Sequence, residues 1–282
     1  MLGVEKLYPE DFPPLLREIP DPPAQLYMRG KIPQGYKFLT VVGSRAVSQY
    51  GKDACEHLIA GLEGYPIAIV SGLALGTDAI AHRAALRYNL PTIAVPGSGI
   101  NDAVLYPRTN IGLAYDILDA GGALMSEFEP DEKTMIHFFP QRNRIMAGMS
   151  DAVLIIEAGL QSGTLITARL ATDYNRELLC VPHSIFAEGG AGGHQFMKLG
   201  AAPARSASDI LEALGIVEEK NIETVHLTSE EQEVLALLSE PLTRDELVRA
   251  IGAPIGQINV LLAQMELRGL LAESLGQIRK LI

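Results

Sequence analysis

The 282-residue chain is predicted to be an α/β protein, a Rossmann-like and mostly parallel sheet with helices on both faces, followed by a small C-terminal winged helix domain. Three observations predict it. From Phe38 onward, short apolar runs alternate with helical patterns long enough to cross back over a sheet. Glycine-punctuated turns fall where the runs end, which is where open parallel sheets bind ligands. Beyond residue 227 the alternation gives way to three capped helices and a hairpin.

Composition narrows the function classes. With 48% hydrophobic and 20% charged residues the chain reads as globular, and its length predicts about two domains. Apolar runs stop well short of the ~18 residues a membrane helix needs. The acidic start (Glu5, Glu10, Asp11) lacks the basic and apolar blocks of a signal peptide. A cytoplasmic protein with no membrane contact is expected. Cys55 and Cys180 have neither metal-ligand spacing nor the density of a disulfide scaffold, so buried free thiols are expected. The net charge of −11, from 23 Lys and Arg against 34 Asp and Glu, excludes coating by nucleic acid through a bulk field. DNA binding would need basic groups concentrated in a pocket.

Residues 1–37 carry Pro9, Pro13, Pro14, Pro20, Pro22, Pro23 and Pro33, and are expected to pack on the core in extended pieces rather than fold alone. The Rossmann-like domain is expected over 38–214, with strands at 38–42, 67–70, 92–95, 123–125, 152–156 and 178–181. Helices are expected near 50–62, 78–88, 111–120 and 164–174. A polar linker is predicted at 215–227, then the winged helix at 228–282. There, Thr228 with Glu231 and Thr243 with Glu246 make capping boxes, and Ser274-Leu275-Gly276 turns a hairpin.

The candidate site lies at the strand ends. Gly43-Ser44-Arg45 follows the first strand, with Ser48 as N-cap of the next helix. Ser71-Gly72 and Gly76-Thr77 follow the second, and Ser162-Gly163-Thr164 the fifth. One glycine turn is commonplace, but three in one sheet predict a pocket. Between them, 137–150 puts Phe138, Phe139, Arg142, Asn143 and Arg144 on the step into a short helix. A helix start offers free N–H groups to phosphate, and each arginine adds a planar fork. An adjacent aromatic gives a base a stacking surface, the combination used for single-stranded nucleic acid. The competing structural reading is that paired Phe before Pro140 are core residues, and that an Arg here pairs with a carboxylate such as Glu157.

Asp78 and His82 share a helix face, but no second pair at ligand spacing accompanies them, so a hydrogen-bonded buried histidine and no metal are expected. His183 and His194 flank a glycine-rich stretch, 188–193, expected to be a loose loop.

The chain resembles the bacterial DNA-processing protein A (DprA/Smf) family through Val42-Gly43-Ser44-Arg45, Ser71-Gly72-Leu73-Ala74-Leu75-Gly76-Thr77-Asp78-Ala79-Ile80-Ala81-His82, Tyr106-Pro107, Ser126-Glu127, Phe139-Pro140-Gln141-Arg142-Asn143-Arg144-Ile145, and Glu157-Ala158 with Ser162-Gly163-Thr164-Leu165. The segment Phe139 to Arg144 is the most specific part. The resemblance implies a cofactor-free, non-enzymatic protein that binds single-stranded DNA as a homodimer. It also implies that the protein protects incoming DNA and helps load RecA recombinase in natural transformation. Its DNA pocket would fall on Arg45, Phe139, Arg142 and Asn143. Many members carry a helical domain ahead of the region matching Tyr8-Pro9, which is not among these 282 residues. The chain also has Val181-Pro182-His183 where the family reads Val-Pro-Gly, and Gly192-Gly193-His194 where it reads Gly-x-Asn.

Two enzyme classes are the rivals. A nicotinamide enzyme needs G-x-G-x-x-G after the first strand and an acid ending the second, where this chain has Gly43-Ser44-Arg45 and Ser71. The alternative function is a nucleoside monophosphate phosphoribohydrolase of the lysine-decarboxylase-like type, whose motif P-G-G-x-G-T-x-x-E has its acid where this chain has Thr167. The winged helix is expected not to read duplex DNA, since its third helix has no Lys or Arg from Pro254 to Leu267. An acidic face formed by Glu230, Glu231 and Glu233 points instead to a protein contact.

Overall fold

A computed structural model describes residues 3–217, 227–238, 240–274 and 276–280. They divide into two compact units, 1–218 and 219–282, with separate hydrophobic cores. Among the described residues, no helix is long and apolar enough to cross a membrane.

The first unit runs β1 (Glu5–Leu7), α1 (Pro14–Arg17), β2 (Leu26–Gly30), β3 (Lys37–Val42), α2 (Gln49–Ala60), β4 (Ile67–Ser71), α3 (Thr77–Arg87), β5 (Thr92–Ala94), α4 (Ile111–Asp119), β6 (Ala123–Ser126), α5 (Phe138–Met149), β7 (Ala152–Ile155), α6 (Thr164–Asp173), β8 (Glu177–Cys180), α7 (Ala191–Lys198), β9 (Ala202–Pro203) and α8 (Ala207–Ala213). The six expected strands are present within one residue at each end, and the four expected helices within two. The sheet order is β1-β2-β6-β5-β4-β3-β7-β8-β9. All neighbours from β6 to β9 are parallel.

Both faces of this sheet are buried, which is why its strands are nearly unbroken apolar runs. Leu39, Val41, Ile67 and Ile69 pack with Cys55, Ile59 and Ala84 of α2 and α3. Phe38, Val42, Ala68 and Val70 pack on the other side with Leu16, Ile145, Met149 and Ala168 of α1, α5 and α6. Each fully buried Ile or Leu contributes about 1.5–3 kcal/mol. Both cysteines are free and buried, and burial pushes each thiol up to about 12.

From β3 the chain winds outward through β4, β5 and β6, then returns to β7 on the other side of β3. That reversal opens a crevice beyond the carboxyl ends of β3 and β7, the place where such sheets bind ligands.

The proline-rich start joins the sheet. β2 pairs antiparallel with β6, Met28 opposite Met125, and β1 pairs antiparallel with β2. Six of its prolines fall between those two strands, where no ladder N–H is needed. The stretch 188–193, expected as a loose loop, is instead a 3-10 turn (Glu188–Gly190) running into α7. Its glycines let this backbone close on the loop after β7, with Ala158 N–H donating to Gly189 O and Gly192 N–H to Ala158 O, both at 2.8 Å. His194 therefore sits on a helix, its Nε2 3.0 Å from His183 O.

The second unit contains α9 (Ser229–Leu237), β10 (Leu242–Thr243), α10 (Arg244–Ile251), α11 (Ile255–Leu267), β11 (Leu271–Ser274) and β12 (Gln277–Lys280), with strand order β10-β12-β11. It is the expected winged helix, and both capping boxes are formed. Val234, Leu247, Ile258, Leu262, Met265 and Ile278 make its core. The expected acidic face is corrected at Glu231, which is buried, accepts from Thr228 N–H at 2.9 Å and pairs with Arg268. Its place at the third helical position, where a capping box needs the carboxylate turned back, withdraws it from solvent. Most of the expected linker (218–226), Leu275 of the hairpin turn and residues 281–282 lie outside the described residues.

Candidate nucleic-acid interface

A cavity of about 440 Å³ opens beyond β3 and β7. Gly43, Ser44 and Arg45 line it from the loop after β3, Phe139, Arg142 and Asn143 from α5, and Ser162, Gly163 and Thr164 from the start of α6. The second glycine turn contributes Ala74 and Asp78. Its other expected residues stand behind the lining. Thr77 holds the first loop from below, its N–H and Oγ1 both donating to Ser44 O at 3.1 Å. Gly76, at φ +73°, lies so close that a Cβ would be 2.4 Å from Ser44 O. Ser71 is buried and donates to Val41 O at 2.6 Å. Thr164 Oγ1 donates to Gly43 O at 3.0 Å, tying α6 to the same loop.

Among the described residues, Glu157 pairs with no arginine. Its Oε2 accepts from Ser48 N–H at 3.1 Å and Ser48 Oγ at 2.6 Å, fastening the loop after β7 to the start of α2, where Ser48 accepts from Gly51 N–H as the expected N-cap.

Arg142 is buried. Its Nη1 donates to Gly72 O at 2.7 Å and to Val95 O, and its Nε to Asn143 Oδ1 at 3.2 Å. Gly72 is required by this approach, since a Cβ there would lie 1.9 Å from Nη1. Asp78 Oδ2 accepts from Gly72 N–H at 3.1 Å and Ala74 N–H at 3.3 Å. Burial pushes the Asp78 carboxyl above its usual range, against the opposing pull of Arg142 and these two N–H groups. Burial lowers Arg142 to about 10, partly offset by Asp78. Arg142 thus remains a cation at neutral pH. Behind them His82 Nδ1 lies 2.7 Å from Thr92 Oγ1, the expected hydrogen-bonded buried histidine. Burial holds His82 down to about 3, so it is neutral.

The two phenylalanines divide. Phe138 is core, stacked on Phe128 with ring centroids 3.7 Å apart. Phe139 is half-buried and faces the cavity, with the Arg45 guanidinium 5.0 Å from its centroid. Arg45 is exposed. Arg144 does not reach this lining. It pairs with Glu127 and Asp21, because residues two apart on a helix point to opposite sides. The residue that sequence reasoning missed is Asp78. Its signal in the sequence is an acid in the first turn of the helix that follows Gly76-Thr77.

Arg45, Arg142 and the N-terminal end of α6 face one space against a single lining carboxylate, so this cavity is locally cationic in a chain of net charge −11. Thr167, at the position where a phosphoribohydrolase has its acid, lines it as a buried hydroxyl.

Comparison with known proteins agrees with this architecture. Residues 5–215 match the family model of DNA recombination-mediator protein A, and residues 219–277 match the DprA winged helix domain. Protein Smf of Escherichia coli K12 is 37% identical over 275 residues, covering 93% of this chain and 73% of that protein. The DNA processing protein DprA of Streptococcus pneumoniae is 39% identical over 210 residues, covering 74% of this chain and 71% of that one. The X-ray structure of S. pneumoniae DprA superposes with a TM-score of 0.70 at 36% identity, covering 74% of each chain. DNA processing protein A of Helicobacter pylori, described for its unique single-stranded DNA binding mode, superposes with a TM-score of 0.67 at 28% identity, covering 76% of this chain and 96% of that one. With the whole α/β unit and the winged helix both matched, the chain belongs to the DprA/Smf family of DNA-processing recombination mediators.

Proposed function

We propose that this chain binds single-stranded DNA in the cavity beyond β3 and β7. The observation that carries the reading is the junction there of two guanidinium groups, a half-exposed aromatic ring and a helix start. The guanidinium of Arg45, the Gly163 N–H and the Ser162 hydroxyl at the start of α6 hold phosphate, while Phe139 stacks on a base. Ser71, Gly72, Gly76 and Thr77 keep the β3 loop and Arg142 in position. Arg144 anchors α5 through Glu127 and Asp21 rather than touching the strand. The single-stranded binding mode of the H. pylori relative supports this reading.

Family membership supports the wider role: a homodimeric, cytoplasmic, non-enzymatic mediator that protects incoming single strands and helps load RecA recombinase in natural transformation. RecA assembly on a single strand, followed with and without this chain, tests it. Faster assembly with the chain is expected, and an unchanged rate contradicts the loading role.

A further inference from the structure

We propose that Tyr106, together with Leu75, forms a second base platform beside Phe139, so that the site takes two successive nucleotides of one strand. This rests on the single-strand reading above. Next to the main cavity lies a shallow recess walled by Arg45, Gly72, Leu75, Tyr106, Pro107 and Phe139. Arg45 and Phe139 also line the cavity, so the recess continues it.

The two spaces differ in chemistry. The cavity offers guanidinium, hydroxyl and helix-start donors, suited to phosphate and sugar, whereas the rim of the recess is apolar. Tyr106 is 41% exposed and Leu75 48%, whereas Ile67, Ile69 and Val70 of the adjoining β4 are fully buried. The Tyr106 and Phe139 rings stand 6.0 Å apart at 56°, so each presents its own face to a different base. The recess encloses only about 20 Å³, room for about one water. A base therefore lies across the rim instead of entering. Tyr106 is set in advance, its N–H donating to the buried Ser98 Oγ at 3.2 Å. Arg45, shared by both spaces, stands where the phosphate joining the two nucleotides passes. Since every base has a π-face, the platform is tolerant of sequence.

Fluorescence anisotropy with oligothymidylate and with an abasic strand of equal length separates a base platform from a phosphate clamp. Tyr106→Ala is expected to weaken oligothymidylate binding roughly 5-fold or more and to leave abasic-strand binding unchanged. Tyr106→Phe is expected to bind both strands as the parent does. Equal weakening on both strands, or no weakening in a variant with the parental melting temperature, overturns the platform while single-strand binding stands. If the parent binds neither strand, the single-strand reading falls and the platform with it. Should Tyr106→Ala fail to fold, Leu75→Ser at the exposed rim gives the same comparison, with the same two outcomes deciding.

Discussion

The guanidinium of Arg45 lies 5.0 Å from the centroid of the Phe139 ring. The loop after β3 and the start of α5 thereby share one surface, with a cation over a π-face, and a nucleotide meeting it meets both groups at once. Arg142, three residues beyond Phe139 on the same helix, serves differently: its Nη1 donates to Gly72 O and Val95 O and its Nε to Asn143 Oδ1.

The two arginines should therefore separate on mutation. Arg45→Ala is expected to weaken single-strand binding by roughly 1–3 kcal/mol and to reduce the slope of log affinity against log salt by about 0.7, with the melting temperature unchanged. Arg142→Ala leaves the buried carbonyls of Gly72 and Val95 without this donor and is expected to cost about 1–3 kcal/mol of stability. Denaturant titration beside anisotropy checks both. A fully stable Arg142→Ala protein would contradict the structural role given to that fork.

The adjacent phenylalanines give a similar contrast. Phe139→Ala is expected to cost about 1–3 kcal/mol of binding with little loss of stability, because its ring is half-buried at the cavity. Phe138→Ala removes a stacked core ring and is expected to cost about 3–5 kcal/mol of stability. The reverse pattern would exchange their roles.

His82 predicts an acid limit to stability. Burial holds its folded value at about 3, below the ordinary imidazole value of 6.5, so between those values the unfolded chain binds the extra proton. The neutral imidazole's contribution is complete above about pH 6.5 and is lost toward pH 3, by up to about 1.4 kcal/mol per pH unit. His82→Asn keeps a partner for Thr92 Oγ1 without titrating. Unfolding free energies of the two proteins, measured from pH 7 to pH 4, should converge as pH falls, and a constant gap would refute the assignment.

The winged helix is expected to show no binding to duplex DNA near physiological salt. From residue 225 it carries Arg244, Arg249, Arg268, Arg279 and Lys280 against eight acidic residues. Arg268 is paired with Glu231 and Arg244 with Glu273, while Asn259 accepts from Arg244. Little remains on α11 to read a base edge. Saturable duplex binding by the fragment 225–282 in a gel-shift titration would contradict this.

The parallel strands were legible because burial on both faces leaves continuous apolar runs such as Phe38 to Val42, and the winged helix because Thr228 and Thr243 announce its helix starts. β1 and β2 were not, since they are short and the prolines between them read as extended chain; only the pairing of β2 with β6 and of β1 with β2 makes them strands. The order of the strands was equally hidden, because nothing local records that β7 returns beside β3. Arg45 and Phe139 stand at the cavity where their motifs pointed. Arg144 was grouped with Arg142 by sequence proximity, but the helical turn separates them. The place of Asp78 at the cavity is set by the turn that brings Gly72 and Ala74 N–H onto its carboxylate and by Arg142, 64 residues away in sequence, whose charge acts on it.

The most direct test of single-strand binding at this cavity is a comparison of single-stranded and duplex DNA of equal length, titrated with the full chain at two salt concentrations. The single strand is predicted to bind more tightly at both, to weaken with salt as a few phosphate contacts require, and to lose affinity on Arg45→Ala. Equal or tighter binding of the duplex, or single-strand binding indifferent to Arg45, would contradict it.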